Sequence, residues 1–345
     1  MRPITQMDSY KDMKIIVTGA TGFIGREIVS ELSGKNFRIY QIGNSNINLK
    51  PAEAEFFKID ITNFENVCEL KKLVEVDVVI HSAGLAHQFG NIKKEKFQKT
   101  NVEGTRNILE LAVTLKVKHF VLISSTAVYG TEKKLGKDVK VIDENSACRP
   151  QTFYAESKLE AERQAIEICE RNNINLTIFR LAPVIGEGNA GNVARLIEAI
   201  DKQRFVWVGK GQNFKSLIYK KDVAKACGKI LLKKKKGVEI FNLAAKPVLM
   251  RDFVAEAAQN LNKKIPGFSV PPALLRKLFQ LNQKTLKIQK IQKISETVEK
   301  WLSDDVYSCD SFAKQYDFKP ETSISAALEK QIVWYRKQNG LAEDG

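Results

Sequence analysis

Near its start the chain reads Lys14-Ile-Ile-Val17, a short β-branched apolar run. Thr18-Gly19-Ala-Thr-Gly22-Phe-Ile-Gly25 follows at once, and then a helical pattern from Arg26 to Leu32. A buried strand, a glycine turn and a helix in that order leave few folds open. Gly19 permits the tight turn, and Gly22 lets the backbone approach a pyrophosphate resting on the helix N-terminus. Gly25 lets helix and strand pack closely. The spacing is Gly-x-x-Gly-x-x-Gly rather than the commoner Gly-x-Gly-x-x-Gly. The strand before and the helix after make it a dinucleotide turn.

The same alternation continues. Arg38 to Ile42, Phe56 to Ile59, Val76 to Ile80, His119 to Ile123 and Asn175 to Phe179 are apolar strand runs. Helical patterns fall between them, from Asn101 to Leu115 and from Tyr154 to Cys169. This predicts an α/β fold, a Rossmann-like doubly wound parallel sheet with right-handed crossovers. Beyond Arg180 the pattern loosens, with a turn at Ala182-Pro183, a helix from Asn192 to Ile200 and a short strand from Phe205 to Val208. Val238 to Leu243 is a further strand. The expected division is a dinucleotide-binding domain over 1–182, with 216–244 returning to it. A smaller, mainly helical substrate-binding domain takes 183–215 and 245–345.

Strand ends carry the candidate contacts, because ligands bind at the carboxyl edge of such sheets. The second strand ends in Gly43-Asn44-Ser45. It offers no carboxylate to reject a 2′-phosphate and no arginine to welcome one, so NAD and NADP both stay open. Asp60-Ile61 ends the third strand, where adenine would sit. The small residues of His81-Ser-Ala83-Gly84-Leu85 let the chain pass over a cofactor. Asn101 either caps the helix that follows or ties neighbouring strand ends together.

Ser124-Ser125-Thr126-Ala-Val-Tyr129-Gly130 leaves the fifth strand, and Tyr154-Ala-Glu-Ser-Lys158 opens a helix. Residues four apart share a helix face, so Lys158 stands beside the Tyr154 phenol. An ammonium there is expected to lower the tyrosine's pKa from its usual value of about 10. A serine hydroxyl at the strand end would bond the same substrate oxygen. The three groups could then take a proton from an alcohol while hydride leaves its carbon.

The 345 residues carry a formal charge of +15, which suits an anionic partner: nucleic acid, an acidic membrane surface or a phosphorylated small molecule. Five cysteines without paired spacing and three histidines suggest free thiols, no metal centre and a reducing cytoplasm. The first 13 residues lack the apolar core of a signal peptide, and no apolar run approaches a membrane span. From Pro272 to Trp301, isoleucines at helical spacing (Ile288, Ile291, Ile294, then Val298) alternate with Arg276, Lys277, Lys284, Lys287, Lys290 and Lys293. This is either a lid helix with a solvated lysine face or a segment lying on the inner face of an anionic plasma membrane. Lys233 to Lys236 reads as a helix C-terminus complementing the dipole.

Taken together, Thr18 to Gly25, Asp60-Ile61, His81 to Leu85, Asn101 to Thr105, Ser124 to Gly130, Tyr154 with Lys158 and Lys215 to Ala224 resemble the extended short-chain dehydrogenase/reductase family, of the NAD-dependent sugar epimerase/dehydratase type. The resemblance implies Tyr154 as acid/base, Lys158 on the nicotinamide ribose and Ser125 on the reacting hydroxyl. It also implies nucleotide contacts from Gly19, Thr21, Gly22, Phe23, Ile24 and Gly25. Further ones would come from Asn44, Asp60, Ile61, Ala83, Gly84, Leu85, Asn101, Ser124 and Pro183. Substrate would meet Thr126, Asn192, Arg195 and, through its diphosphate, Lys215. The substrate half, from Gly186 to Asn192 and from Phe205 to Ser216, resembles 4-epimerases of N-acetylhexosamine on a polyprenyl or UDP diphosphate. Val270 to Arg276 also resembles reductases of UDP-4-keto-6-deoxy-N-acetylhexosamines. Surface polysaccharide synthesis and a homodimer are implied. A non-catalytic, nucleic-acid-binding relative is the remaining class, but such proteins usually lose the tyrosine or the lysine, and here both stand.

Overall fold

The computed structural model describes residues 13–35, 37–45, 54–86, 92–131, 139–233, 237–284 and 298–340. Seven strands form one sheet: β1 (Lys14–Thr18), β2 (Arg38–Gly43), β3 (Ala54–Lys58), β4 (Val78–His81), β5 (His119–Ser125), β6 (Asn175–Leu181) and β7 (Val238–Leu243). Their spatial order is β7-β6-β5-β4-β1-β2-β3, and every pairing is parallel. The chain moves outward from β1 to β3, then returns to place β4 on the other side of β1. Thr18 therefore lies in register with His81. Such a reversal opens a crevice at the carboxyl ends of the two strands, where a ligand can enter.

Period-two alternation divides the sheet's two faces. Ile15, Val17 and Ile80 pack under α1 (Gly25–Ser33), whose Ile28, Val29 and Leu32 are buried. Ile16 and Val79 face the other way, toward α2 (Gly104–Thr114) and α3 (Phe153–Arg171). A third core joins α4 (Asn192–Asp201), α6 (Met250–Asn260) and α8 (Ile324–Gln338) through Leu196, Ile197, Phe253, Val254, Leu328 and Ile332. Between them, α5 (Lys220–Leu231) packs on the α1 face of the sheet. So does α7 (Asp310–Tyr316), whose Phe312 meets Phe179 and Phe241 with both ring pairs 5.2 Å apart.

Some boundaries differ from the expected ones. β4 begins at Val78 rather than Val76, and the short strand before Gly209 is Trp207–Val208 alone. Instead of starting a regular helix, Asn101 lies in a π-helical segment, Gln98–Glu103, that runs into α2. Lys233 lies beyond the end of α5 and donates to the Gln315 carbonyl, and 234–236 fall outside the described residues. Of the basic C-terminal segment, Lys287, Ile288, Lys290, Ile291, Lys293 and Ile294 also fall outside them. Arg276 is paired with Glu299 at 2.7 Å. Among the described residues, no helix is long and apolar enough to cross a membrane, and no cluster of three metal-ligating side chains occurs.

Candidate active site

The turn after β1 has the shape a pyrophosphate needs. Gly19 sits at φ +66°, and a Cβ there would meet the Ala83 backbone at 2.7 Å. A Cβ on Gly25 would lie 2.0 Å from the Gly19 carbonyl oxygen. Helix and turn thus touch with no room for a side chain. No side chain caps the N-terminus of α1 at Ile24. The Arg26 N–H turns back to the Gly22 carbonyl at 3.1 Å, and an anion would sit on the remaining first-turn N–H groups. Thr21 lies over Gly43 at the end of β2, and Phe23 lies under the Lys220 ammonium, 5.7 Å from it. Lys220 in turn pairs with Glu27 at 2.9 Å, fastening α5 to α1.

A buried chain of hydrogen bonds fixes the crevice walls. Thr18 Oγ1 accepts from the Ala83 N–H at 3.2 Å and bonds His81 Nδ1 at 2.7 Å. His81 Nε2 bonds Thr105 Oγ1 at 3.0 Å, and that hydroxyl donates to the Asn101 carbonyl. Burial pushes the His81 imidazole down to about 3, so it stays neutral. The Asn101 amide accepts from the Leu85 N–H at 2.6 Å, donates to the Leu85 carbonyl at 3.1 Å and donates to Ser157 Oγ at 2.9 Å. It neither caps the helix that follows nor joins two strand ends, but ties the segment after β4 to α3 through Ser157. A Cβ on Gly84 would lie 3.1 Å from the Asn101 amide oxygen and 3.4 Å from Lys158 Nζ. The strip Ala83–Leu85 is thus a flat ledge beside the lysine.

On that ledge's far side stand the three candidate catalytic groups. Thr152 caps α3, accepting from the Ala155 N–H at 3.2 Å, which fixes Tyr154 in the first turn. Ser125 Oγ accepts from the Ala127 N–H at 3.2 Å, leaving its own proton to bond the Tyr154 oxygen. Lys158 Nζ donates to the Ile123 carbonyl at 2.8 Å. Tyr154 and Lys158 are half-buried, with the tyrosine ring tilted against Phe97 at 6.1 Å. Burial pushes the Tyr154 phenol above its usual value, and the Ser125 hydrogen bond opposes that rise. The expected lowering by Lys158 is not what acts here. Burial holds the Lys158 ammonium itself down, to about 8.

Several other expected contacts are placed elsewhere. Ser124 alternates with Ser125, so its hydroxyl points into the protein and donates to Glu162. Its hydroxyl proton is thus committed away from the expected cofactor contact. Thr126 is 2% exposed, donates to the Leu181 carbonyl at 3.2 Å and bonds Tyr307, so it is closed to substrate. Ile61 packs its side chain against Gly104 in the core. Lys215 is held by Asp305 at 2.5 Å, by Ser303 and by the Lys300 carbonyl. Its charge is answered within the protein rather than offered to a diphosphate. Asn44, Pro183, Asn192 and Arg195 are exposed, and Asp60 is half-buried, accepting from the Thr62 N–H at 2.9 Å.

A network behind Ser125 was not foreseen from the sequence. Arg180 lies in register with Ser124 and pairs with Glu162 at 2.7 Å, both nearly fully buried. Arg180 also donates to the Tyr129 hydroxyl at 3.0 Å, which donates to Asn242 Oδ1 at 2.8 Å. Glu162 raises the guanidinium further above its usual range, against the effect of burial. The one available signal was spacing: Glu162 stands one turn beyond Lys158 on the same helix face.

Three comparisons bear on the family. The model of the NAD dependent epimerase/dehydratase family matches residues 15–244. The N-acetyl-α-D-glucosaminyl-diphospho-ditrans,octacis-undecaprenol 4-epimerase of Escherichia coli O157:H7 is 32% identical over 264 residues, 74% of this chain and 75% of that one. Among solved structures, UDP-glucose 4-epimerase from Thermotoga maritima, with UDP-glucose, superposes with a TM-score of 0.74 at 21% identity, covering 95% of this chain and 100% of that one. UDP-glucuronic acid 4-epimerase from Bacillus cereus, in complex with NAD, gives 0.73 at 20% identity over 94% and 99%. The two structural likenesses speak to the fold. The glycine turn, the ledge and the tyrosine–lysine helix all lie inside the matched span, and on that span the chain belongs to the NAD-dependent epimerase/dehydratase family.

Proposed function

We propose that the protein is a 4-epimerase of a hexose, specifically an N-acetylhexosamine, carried on a UDP or polyprenyl diphosphate. The observation that carries this is the convergence of the Ser125 and Tyr154 hydroxyls and the Lys158 ammonium beside the Ala83–Leu85 ledge. The similarity to the undecaprenol-linked 4-epimerase supports the choice of sugar and carrier.

NAD fits the site, since the Gly19–Gly25 turn and the uncapped α1 N-terminus would hold its pyrophosphate and Lys158 its nicotinamide ribose. When bound it supplies a reversible hydride acceptor at the sugar C4. The protein's own groups manage the proton. Tyr154 accepts it from the C4 hydroxyl, and Ser125 holds that oxygen and the phenol in one hydrogen-bonded line. The 4-keto sugar must then turn over, so that hydride would return to the other face of C4 while Tyr154 gives the proton back to the C4 oxygen. The reaction is redox-neutral overall. Incubation with UDP-N-acetylglucosamine and with its polyprenyl-diphosphate counterpart should give the C4 epimer of one of them, resolved by chromatography. No epimer from either would overturn this reading.

One observation favours a second reading, a reductase of a UDP-4-keto-6-deoxy-N-acetylhexosamine. The end of β2 carries no carboxylate against a 2′-phosphate. Stoichiometric consumption of reduced cofactor with a 4-keto sugar would select it.

A further inference from the structure

We propose that the adenosine end of the dinucleotide site accepts NADP(H) as well as NAD(H), with the Lys58 ammonium pairing with the 2′-phosphate. In folds of this kind, an acid near the end of the second strand takes the ribose 2′-hydroxyl and repels a phosphate there. Here β2 ends at Gly43. A Cβ at that position would lie 2.8 Å from Thr21 Cγ2, 2.9 Å from Thr21 Oγ1 and 3.3 Å from Phe56 Cε2. Thr21 therefore occupies the space an aspartate would need, and it brings a hydroxyl donor instead of a charge. Asn44 and Ser45, next along the chain, are exposed and neutral.

The parallel ladder supplies the cation. Gly43 is the register partner of Lys58, the last residue of β3. Register partners project to the same face of a sheet, so Lys58 extends from the carboxyl edge on the Thr21 side. Its side chain is exposed, and among the described residues no ion pair or hydrogen bond engages its ammonium. The other charges on these two strands are already matched. Arg38 pairs with Glu55 at 2.5 Å near the opposite end. Asp60, beyond the end of β3, keeps its charge and turns one carboxylate oxygen to the Thr62 N–H. A 2′-phosphate, with a charge of about −1.5 to −2 near neutral pH, would meet, among the described residues, the Lys58 ammonium and the Thr21 hydroxyl.

This inference concerns the coenzyme and holds whichever sugar is the substrate. It is tested by titrating the full chain with NADH and with NADPH, reading coenzyme fluorescence and displacement of any nucleotide that co-purifies. The two dissociation constants should agree within about tenfold. Lys58→Glu should weaken NADPH by about tenfold or more and NADH by less than about twofold, as expected of a charge-assisted contact. Lys58→Ala, a milder change at the same exposed position, should move NADPH in the same direction. A wild-type preference for NADH beyond about tenfold would overturn the proposal. So would a Lys58→Glu protein that loses both coenzymes equally or leaves NADPH unaffected.

Discussion

As the proposed acid–base group, Tyr154 is tethered rather than acidic. Burial raises its pKa, and a hydrogen bond from Ser125 restrains that rise. Tyr154→Phe removes the proposed proton carrier while leaving the ring against Phe97. Turnover should fall by about 10²–10⁴-fold, with thermal melting unchanged, measured as product formed per protein that still binds coenzyme. Lys158 allows a pH test. Its folded pKa of about 8 lies below the ordinary lysine value of 10.5. Between those two values the unfolded chain holds more protons, so this residue's contribution to stability rises with pH through that window. Below the window the cost of burying its charge is constant. Relative to Lys158→Met, the wild type should gain about 1–2 kcal/mol between pH 7.5 and 9.5, read from urea midpoints. An unchanging difference would show that the ammonium is not desolvated.

Elements fix where those residues stand. A methyl on Gly25 would sit 2.0 Å from the Gly19 carbonyl oxygen. Gly25→Ala must therefore push α1 off the turn, and should cost about 1–3 kcal/mol and most of the coenzyme affinity, both visible in melting with and without NAD. Behind β5, Glu162→Gln would leave the Arg180 charge buried and unanswered, at a cost of about 3–5 kcal/mol. Adding Arg180→Met should recover part of that loss in urea denaturation, since the uncompensated charge is then gone. These two sites also show what the sequence can and cannot convey. The Gly25 constraint was legible because it is local: a strand, a turn and a helix within a dozen residues. Which way Ser124, Thr126 and Lys215 point was not, because Glu162, Leu181 and Asp305 decide it from far along the chain. Strand spacing shows that Ser124 and Ser125 face opposite ways. It does not show which face holds the cleft until α3 is laid over one of them. The π-helical segment that aims Asn101 at Leu85 has no sequence mark comparable to a glycine turn.

At the scale of the whole molecule, the span matched by the family ends at residue 244, yet the core beneath the sheet does not. Phe312, Tyr316 and Phe318 come from beyond that point and fill the first core against Phe179 and Phe241. Tyr307 stacks on Tyr129 at 6.1 Å, linking the same segment to the buried network behind Ser125. The backbone N–H groups of Glu321 and Thr322 cap the Asp222 carboxylate at 3.1 and 3.2 Å, fastening the segment to α5 as well. Each large buried side chain contributes about 1.5–3 kcal/mol, so removing three of these rings costs roughly 5–9 kcal/mol. A domain's whole stability is only about 5–15 kcal/mol. A fragment ending at residue 245 should therefore keep helical circular dichroism but lose cooperative unfolding, and it should bind a hydrophobic dye that the full chain excludes. If that fragment instead unfolds in one sharp urea transition near the full chain's midpoint, the C-terminal rings are a covering layer rather than part of the core that holds the Ser125 end of β5.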